Sequence, residues 1–242
     1  MVNVAAALAV ALPLYSWPSP GAWNPIYSAI ANNPNTTFNV IVNPNSGPGS
    51  FPPATEYIAG VAKLNSYSNV NTYGYLHTEY AVRPLSDIKS DVATYAKWNS
   101  YKASNIALDG IFVDEATDQT GHLDYMKTVA STIRTAMPKK GKIWTNPGCI
   151  VASSFYDYAD IVTAFEDSYV NWNSPKRVGI PQALHNRTSV MITNYSGGLA
   201  GIKAQAKILA QRGFHSGFVW GTQSYNSYSS QWVDFANSAD QS

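Results

Sequence analysis

The sequence is poor in cysteine and in charged residues, and each shortage excludes a class of protein. Cys149 is the only cysteine, so no intramolecular disulfide framework and no cysteine-based zinc site can form. We expect Cys149 to be a small buried residue that follows a strand. Charged residues make up 13% of the 242 positions, with 16 Lys+Arg against 15 Asp+Glu. Near-neutral charge without a basic cluster argues against nucleic-acid binding, because a protein that tracks phosphates needs concentrated cations.

Long apolar runs are also missing. The run from Val4 to Leu14 is too short to cross a bilayer, and it lacks the basic flank and small-residue cleavage site of a signal peptide. We therefore interpret it as a buried strand and expect no membrane contact. Sequons at Asn35, Asn186 and Asn194 are weak evidence for secretion, since chains rich in Asn and Ser produce such triplets by chance. We expect a secreted or cell-surface protein whose targeting or anchor segment lies outside this sequence.

Aromatic residues, in contrast, are abundant, with 16 Tyr and 7 Trp. Such rings can stack on the apolar faces of sugars while their OH and NH groups form hydrogen bonds. Ordinary core packing accounts for many of them, and a hydrophobic share of 45% is ample for a large core. The surplus favours a carbohydrate-binding cleft.

Apolar, β-branched runs alternate with helical patterns along the whole chain. The predicted strands are 7–15, 38–42, 71–76, 110–113, 142–145, 161–165, 189–193 and 217–220. The predicted helices are 24–32, 53–66, 85–101, 123–137, 199–212 and 231–236, with a short helical segment at 154–158. No linker divides the chain, so we predict a single α/β domain over residues 1–242. Eight such units are typical of a (β/α)8 TIM-type barrel. A doubly wound sheet is less suitable, because it would need a Gly-rich turn after the first strand.

In a barrel of this kind the carboxyl ends of the strands converge on one active face. Polar and aromatic residues at those ends are Tyr15, Asn43, Asn45, Tyr75, His77, Asp114, Glu115, Asn146, Glu166, Asp167, Asn194, Tyr195, Trp220 and Gln223. The predicted sugar platform consists of Tyr75, Tyr195 and Trp220. The predicted hydrogen-bonding residues for hydroxyl or acetamido groups are Asn43, Asn146 and Asn194. Tyr15, His77 and Asp167 are further candidates for substrate binding.

Two acidic pairs follow apolar strands that offer nothing to solvate a charge except the barrel mouth. Asp114 and Glu115 end the fourth strand, and Glu166 and Asp167 end the sixth. Neighbouring strand residues point to opposite faces, so one acid of each pair is expected to face the axis. The other acid can cap a helix or bond an arginine. Two carboxyl groups facing each other are what glycosidic cleavage requires, one to donate a proton and the other to act at the anomeric carbon.

Other chemistries fit the strand ends less well. His77 is the only histidine predicted there, so we expect no multi-histidine metal centre and no cofactor. The G-x-S-x-G pattern of serine hydrolases is absent, and no strand end supplies a lysine for a Schiff base. The Ser196-Gly197-Gly198 turn is similar to a barrel phosphate site but has no basic companions. We interpret it as a tight turn.

Several sequence blocks carry a family resemblance. They are Pro-Leu-Tyr at 13–15, Pro-Ser-Pro-Gly-Ala-Trp at 18–23, Asn-Pro-Asn-Ser-Gly-Pro-Gly at 43–49, Tyr-Gly-Tyr at 73–75, Gly-Ile-Phe-Val-Asp-Glu at 110–115 and Phe-Glu at 165–166. Together they resemble the spherulin-4 proteins (spherulation-specific family 4) over essentially the whole chain. The resemblance implies a secreted or surface-displayed fungal glycoside hydrolase on a (β/α)8 barrel. It implies cleavage of galactosaminogalactan within the chain at α-1,4-linked N-acetylgalactosamine, with the family's acidic residues at Asp114, Glu115 and Glu166.

The implied substrate restricts the mechanism. In an α-linked N-acetylgalactosamine the acetamido group lies on the same face as the leaving oxygen and cannot attack from behind. A retaining enzyme then needs its own nucleophile. We hypothesise that Asp114 is that nucleophile, that Glu166 is the general acid/base, and that Glu115 orients substrate or tunes a pKa. A carboxyl separation of about 5 Å would indicate retention, and roughly 6.5 to 9.5 Å would indicate inversion.

Three alternatives remain open. An endo-galactosaminidase for the deacetylated polymer would also have an acidic cleft, because that sugar is a cation. A non-catalytic carbohydrate-binding spore-wall protein would bind oligosaccharides without releasing products. An isomerase or aldolase would need phosphate-binding cations, and Arg83, Lys176 and Arg177 are the only basic residues in loops of the predicted active side. In each enzyme reading we expect a monomer, with the polysaccharide as partner in the hydrolase readings.

Overall fold

A computed structural model describes residues 8–172, 179–221, 225 and 230–239. Eight parallel strands close into a barrel in chain order. They are β1 (Ala9–Leu14), β2 (Phe38–Val42), β3 (Val70–His77), β4 (Gly110–Asp114), β5 (Lys142–Thr145), β6 (Ile161–Ser168), β7 (Thr188–Thr193) and β8 (Ser216–Val219). The last strand closes the barrel by pairing with the first, through Ala9 with Ser216 and Val10 with Gly217. The predicted TIM-type barrel is confirmed.

The helices lie between the strands, as in other βα barrels. They are α1 (Asn24–Asn32), α2 (Thr55–Leu64), α3 (Leu85–Trp98), α4 (Leu123–Ala136), α5 (Tyr169–Trp172), α6 (Leu199–Gln211) and α7 (Ser230–Ala239). The fifth connection carries a 3-10 turn, Ser153–Asp157, in place of a full helix. The Arg187 guanidinium donates hydrogen bonds to the carbonyls of Tyr156 and Ala159 and so secures that connection.

Most element bounds agree with the sequence prediction, and the differences have local causes. The bounds of α1, β2 and β5 are as predicted. Helix α3 ends three residues early because the Asn99 side chain bonds the chain at Leu108, accepting from its N–H at 2.7 Å. Strand β6 continues past the predicted end at residue 165 to Ser168. The predicted start of β1 at Ala7 lies outside the described residues.

Aromatic side chains fill the middle of the barrel. Trp144 packs edge-on against Tyr73 and Phe112, with ring centroids 5.4 and 5.1 Å apart, and its indole N–H donates to Thr163 Oγ1 at 2.8 Å. All four residues are buried. This packed layer supports the side chains at the carboxyl ends of the strands, where the predicted active face lies.

The prediction that Cys149 is buried is wrong, because its side chain is exposed. The Asn-Pro-Gly turn at 146–148 leads the chain out of the barrel before Cys149, with Gly148 at a φ of +66°. No helix among the described segments is both long enough and apolar enough to span a membrane.

Candidate active site

The strand register turns one set of polar side chains toward the barrel axis. His77 on β3 pairs with Asp114 on β4, and Phe112 pairs with Trp144 on β5. Paired residues of parallel strands point to the same side, and alternate residues share that side. The mouth of the barrel therefore brings together Tyr75, His77, Asp114 and Asn146, the residue that follows β5.

Strand β6 reaches the same mouth through a β-bulge. Thr163 pairs with Ser189, but Phe165 pairs with the very next residue, Val190, so the register shifts between them. Simple alternation from Thr163 would turn Phe165 toward the axis and Glu166 away from it. The extra residue reverses this arrangement. Glu166 pairs with Met191 and faces the axis, and Phe165 packs outside against Trp172 at 4.9 Å.

Asn146 joins the two carboxyl groups predicted to perform catalysis. Its Nδ2 amide donates to Asp114 Oδ1 at 2.8 Å and also to Glu166 Oε2. The Asp114 Oδ2 atom accepts a further bond from the Tyr75 hydroxyl at 2.7 Å. The Glu166 Oε1 atom accepts one from the Tyr225 hydroxyl at 2.5 Å. Asp114 and Glu166 thus share one site rather than lying on separate surfaces.

The turn after β5 fixes the direction of the Asn146 amide. Its Oδ1 atom accepts from the Gly148 N–H at 3.1 Å, so its Nδ2 group points toward the carboxyls. The backbone N–H of Asn146 donates to Val113, and the Gly148 carbonyl accepts from the Glu166 N–H at 3.0 Å. The turn therefore links β4, β5 and β6 immediately beneath the carboxyl groups.

Burial raises the pKa of Glu166 above its ordinary value of 4.5, and the negative charge of Asp114 raises it further. The hydrogen bonds from Tyr225 and Asn146 lower this pKa in part, because they stabilise the carboxylate. A carboxyl group with a raised pKa is suited to proton donation near neutral pH.

Three tyrosines surround the carboxyl groups. The Tyr15 ring packs edge-on against Tyr75 at 5.4 Å and against Tyr225 at 5.7 Å. Burial is the main cause that raises the pKa of all three hydroxyl groups. The negative charge of a nearby carboxyl raises the pKa further: Asp114 acts on Tyr15 and Tyr75, and Glu166 acts on Tyr225. Each tyrosine therefore stays protonated at any working pH and can only donate to a carboxylate.

Glu115, Asn43 and His77 lie around this cluster. Glu115 has a φ of +49°, and its backbone carbonyl accepts bonds from Thr78 and Tyr80. The Asn43 Oδ1 atom is buried and has no hydrogen-bond partner among the described residues. The His77 Nδ1–H group donates to the Ser46 carbonyl at 3.0 Å, and its Nε2 atom lies 3.5 Å from Glu79.

Four other predicted site residues have the following contacts and exposure. Asp167 accepts bonds from the Ser168 N–H at 2.6 Å and from the Asn171 side-chain amide at 2.7 Å, next to the start of α5. Tyr195 is buried against Tyr169 at 4.7 Å, and its hydroxyl lies against α6. Asn194 is exposed, with a φ of +51°. Trp220 is buried and stacks on Phe218 at 5.4 Å.

Sequence reasoning missed Tyr225, which bonds Glu166 directly. It lies in a polar stretch beyond the predicted end of the eighth strand, where no periodic pattern indicates a direction. Gln223, Lys176 and Arg177 lie outside the described residues. Arg83 is paired with Asp91 at 2.7 Å and is therefore not free to grip a phosphate. Within the described ranges, no group of three or more His, Cys, Asp or Glu side chains is arranged to hold a metal ion.

Comparison with known proteins shows the family. The sequence model of spherulation-specific family 4 matches residues 9–239. The chain belongs to this family. Spherulin-4 of Physarum polycephalum is 32% identical over 162 residues, which are 66% of this chain and 45% of the relative. The match therefore spans less than half the length of that curated relative.

A solved structure resembles this spherulation-specific family 4 chain along nearly its whole length. Sph3 of Aspergillus clavatus, determined in complex with GalNAc, has a TM-score of 0.89 and 28% identity, covering 97% of this chain and 98% of that one. A chitinase of Bacteroides thetaiotaomicron has a TM-score of 0.62 at 12% identity, covering 97% and 96% of the two chains, and shows likeness of fold alone.

Proposed function

We propose that the protein is an endo-acting glycoside hydrolase that cleaves α-1,4-linked N-acetylgalactosamine within galactosaminogalactan. The observation that carries this proposal is the single Asn146 amide that donates to both Asp114 and Glu166 at the barrel mouth. Glycosidic cleavage requires two carboxyl groups that flank the scissile bond, and Asp114 and Glu166 are held as such a pair. The GalNAc bound by Sph3, a structural relative at 28% identity, supports the choice of sugar.

The shared amide also supports a retaining mechanism. One nitrogen bonds both carboxyl groups. Two N–H···O bonds of about 2.9 Å limit the separation of the bonded oxygens to roughly 6 Å. Retaining enzymes have a separation of about 5 to 5.5 Å, whereas inverting enzymes need about 6.5 to 9.5 Å to admit a water. The space between Asp114 and Glu166 therefore suits direct attack on the sugar.

In the proposed mechanism, Asp114 attacks the anomeric carbon while Glu166 gives its proton to the leaving oxygen. The raised pKa of Glu166, caused first by burial, keeps that proton available. Tyr75 and Asn146 hold the Asp114 carboxylate in one orientation. In the second step Glu166 takes a proton from water, and the resulting hydroxide displaces Asp114 from the sugar. Glu115, adjacent to Asp114, is proposed to orient the substrate.

The acidic site also favours a second candidate substrate, the deacetylated polymer, because its free amine is cationic. In either case the substrate is a polymer that does not cross a membrane, so the proposal places the enzyme outside the cell or on its surface. We keep the monomeric state as a prediction, to be checked by light scattering.

The proposal is tested with the polymer itself. The protein is incubated with galactosaminogalactan, untreated and chemically re-acetylated, and released oligosaccharides are identified by mass spectrometry. We expect oligomers from the wild type and none from Asp114→Asn or Glu166→Gln. Asp157→Asn is the matched control, because this acid is exposed near the amino end of β6. Preference for the re-acetylated polymer would favour N-acetylgalactosamine over galactosamine. Binding without products from either polymer would instead support the non-catalytic carbohydrate-binding reading.

A further inference from the structure

In the part of the chain that the structure describes, large apolar side chains that face solvent are confined to one end of the barrel. Among the described residues they are Trp17, Phe51, Tyr80, Val82, Ile150, Val170 and Leu199. Each lies in the segment that follows the carboxyl end of a strand, on the side of the Asp114–Glu166 cluster. On such a face the aromatic rings, unlike the aliphatic groups, are able to stack on a sugar.

Tyr80 differs from the other exposed aromatic residues of this set. Trp17 packs on Tyr57 at 5.0 Å, and Phe51 packs on Tyr101 at 6.0 Å, so both rings contribute to folding. The Tyr80 side chain is 63% exposed, and no described aromatic ring contacts it. Its ring therefore adds little to stability.

The backbone at Tyr80 is strained. Glu79, Tyr80 and Ala81 have φ angles of +49°, +55° and +73°, in the left-handed region that non-glycine residues avoid. Strained turns of this kind persist only where surrounding contacts impose them, and they cluster at functional sites. Here the free-energy cost is not offset by burial of the ring.

The contacts that impose the turn connect it to the catalytic strand. The Tyr80 N–H donates to the Glu115 carbonyl at 2.8 Å, and the Thr78 hydroxyl donates to the same oxygen at 2.8 Å. The Thr78 N–H donates to the Asp114 carbonyl at 3.0 Å. The position of the Tyr80 backbone is thus fixed relative to the carboxyl end of β4.

We propose that Tyr80 is a stacking platform for a second sugar of the polymer, next to the sugar cleaved between Asp114 and Glu166. The inference rests on the proposed function and extends it, since it assigns a binding position beyond the reacting sugar. A galactosamine-type pyranose has an apolar C–H face that can lie on an exposed aromatic ring. Because the backbone of Tyr80 is already ordered before binding, only the side-chain rotation is lost when the sugar arrives.

The test compares a polymeric substrate with an aryl α-N-acetylgalactosaminide, which has no second sugar. We expect Tyr80→Ala to raise KM for the polymer about five- to tenfold, as loss of one aromatic contact predicts, with kcat nearly unchanged. The aryl glycoside should be cleaved as by the wild type. Tyr80→Phe, which keeps the ring, should retain polymer affinity. Val82→Ala is the matched control, because Val82 is exposed on the same turn at a φ of −97°.

A stability measurement separates binding from folding. Glycine tolerates a positive φ, so Tyr80→Gly should keep or raise Tm while weakening polymer binding.

If the wild type cleaves the polymer and Tyr80→Ala matches it, or if Val82→Ala shows an equal loss, the stacking inference fails alone. If the wild type cleaves nothing, the proposed function fails. Titration of oligosaccharides into Asp114→Asn with and without Tyr80→Ala then decides: weaker binding without the ring supports the inference, and equal or absent binding overturns it.

Discussion

At the scale of single residues, the properties of Glu166 depend on its hydrogen-bond donors. Burial raises its pKa, and the bonds from Tyr225 and Asn146 oppose that rise. Burial alone would keep the proton on the carboxyl group over a wider pH range and make its donation to the leaving oxygen in the first step harder. The hydrogen bonds from Tyr225 and Asn146 therefore keep the Glu166 pKa from rising too far. A residue that acts first as an acid and then as a base needs a pKa that permits both proton transfers.

Removal of the Tyr225 hydroxyl should change the pH profile. Tyr225→Phe removes a 2.5 Å bond that lowers the Glu166 pKa, so this pKa should rise. In the proposed mechanism Glu166 acts first as an acid, so the alkaline limb of kcat/KM should move to higher pH. Tyr158→Phe is the matched control, since the Tyr158 hydroxyl is buried without a described partner just before β6. An unchanged alkaline limb in Tyr225→Phe, or an equal shift in Tyr158→Phe, would contradict this account.

The raised pKa of Glu166 also predicts how stability depends on pH. Below the ordinary value of 4.5 the carboxyl is protonated in the folded and unfolded states alike. As pH rises, the unfolded chain releases this proton first, and the wild type loses stability until the folded-state pKa is passed. Glu166→Gln does not titrate. The Tm of the wild type minus that of Glu166→Gln should therefore fall between pH 4 and pH 7, and a difference that grows with pH would refute the assignment.

Residue types at strand ends predicted Asp114, Glu166 and Asn146, because apolar strands make a terminal acid or amide conspicuous. The pattern could not show that Tyr195 turns its hydroxyl toward α6 or that Tyr225 turns toward Glu166. Those directions depend on packing between distant segments. Tyr80 was missed because its backbone conformation follows from hydrogen bonds to Glu115, which local sequence does not encode.

At the scale of elements, the β6 bulge is the feature that sequence alternation could not provide. A period of two starting at Thr163 puts Glu166 on the outer face, whereas the extra residue puts it on the axis. On β4 no bulge occurs, and Asp114 reaches the axis by regular register. The two catalytic candidates therefore arrive at one mouth by different routes.

Close packing between β4 and β5 predicts a sharp difference between two glycines. A Cβ atom at Gly110 would lie 2.3 Å from the Lys142 carbonyl oxygen, which belongs to the paired backbone. Gly110→Ala should therefore lower the free energy of unfolding by roughly 1–3 kcal/mol or more. Gly121→Ala is the control, since nothing lies within 4 Å of its added Cβ. Its unfolding free energy should stay within about 0.5 kcal/mol of the wild type. Urea denaturation measures both, and equal stability of the two variants would contradict the packing described.

At the scale of the whole molecule, the barrel was predictable because its pattern repeats. Eight buried strands separated by amphipathic helices leave few alternative topologies, and parallel neighbours are joined by right-handed crossovers. The exception is the fifth connection, where a 3-10 turn occupies the place that a full helix would take. Long-range hydrogen bonds from Arg187 stabilise that connection in place of helix packing, and no local sequence pattern predicts them.

The barrel also explains why residues far apart in sequence form one site. Asp114 and Glu166 lie on β4 and β6, whereas Tyr15 follows β1 and Tyr225 follows β8. Closure of the barrel brings these strand ends to one mouth. The central claim is that Asp114 and Glu166, held about one amide apart, cleave an α-linked galactosamine polymer with retention.

The most direct measurement of that claim is proton NMR of the polymer during the first minutes of cleavage. The anomeric signal of each new reducing end shows its configuration before mutarotation mixes the forms. The account predicts that the α-anomer appears first, and that Asp114→Asn and Glu166→Gln release no new ends. Initial appearance of the β-anomer, or undiminished release by either variant, would contradict it.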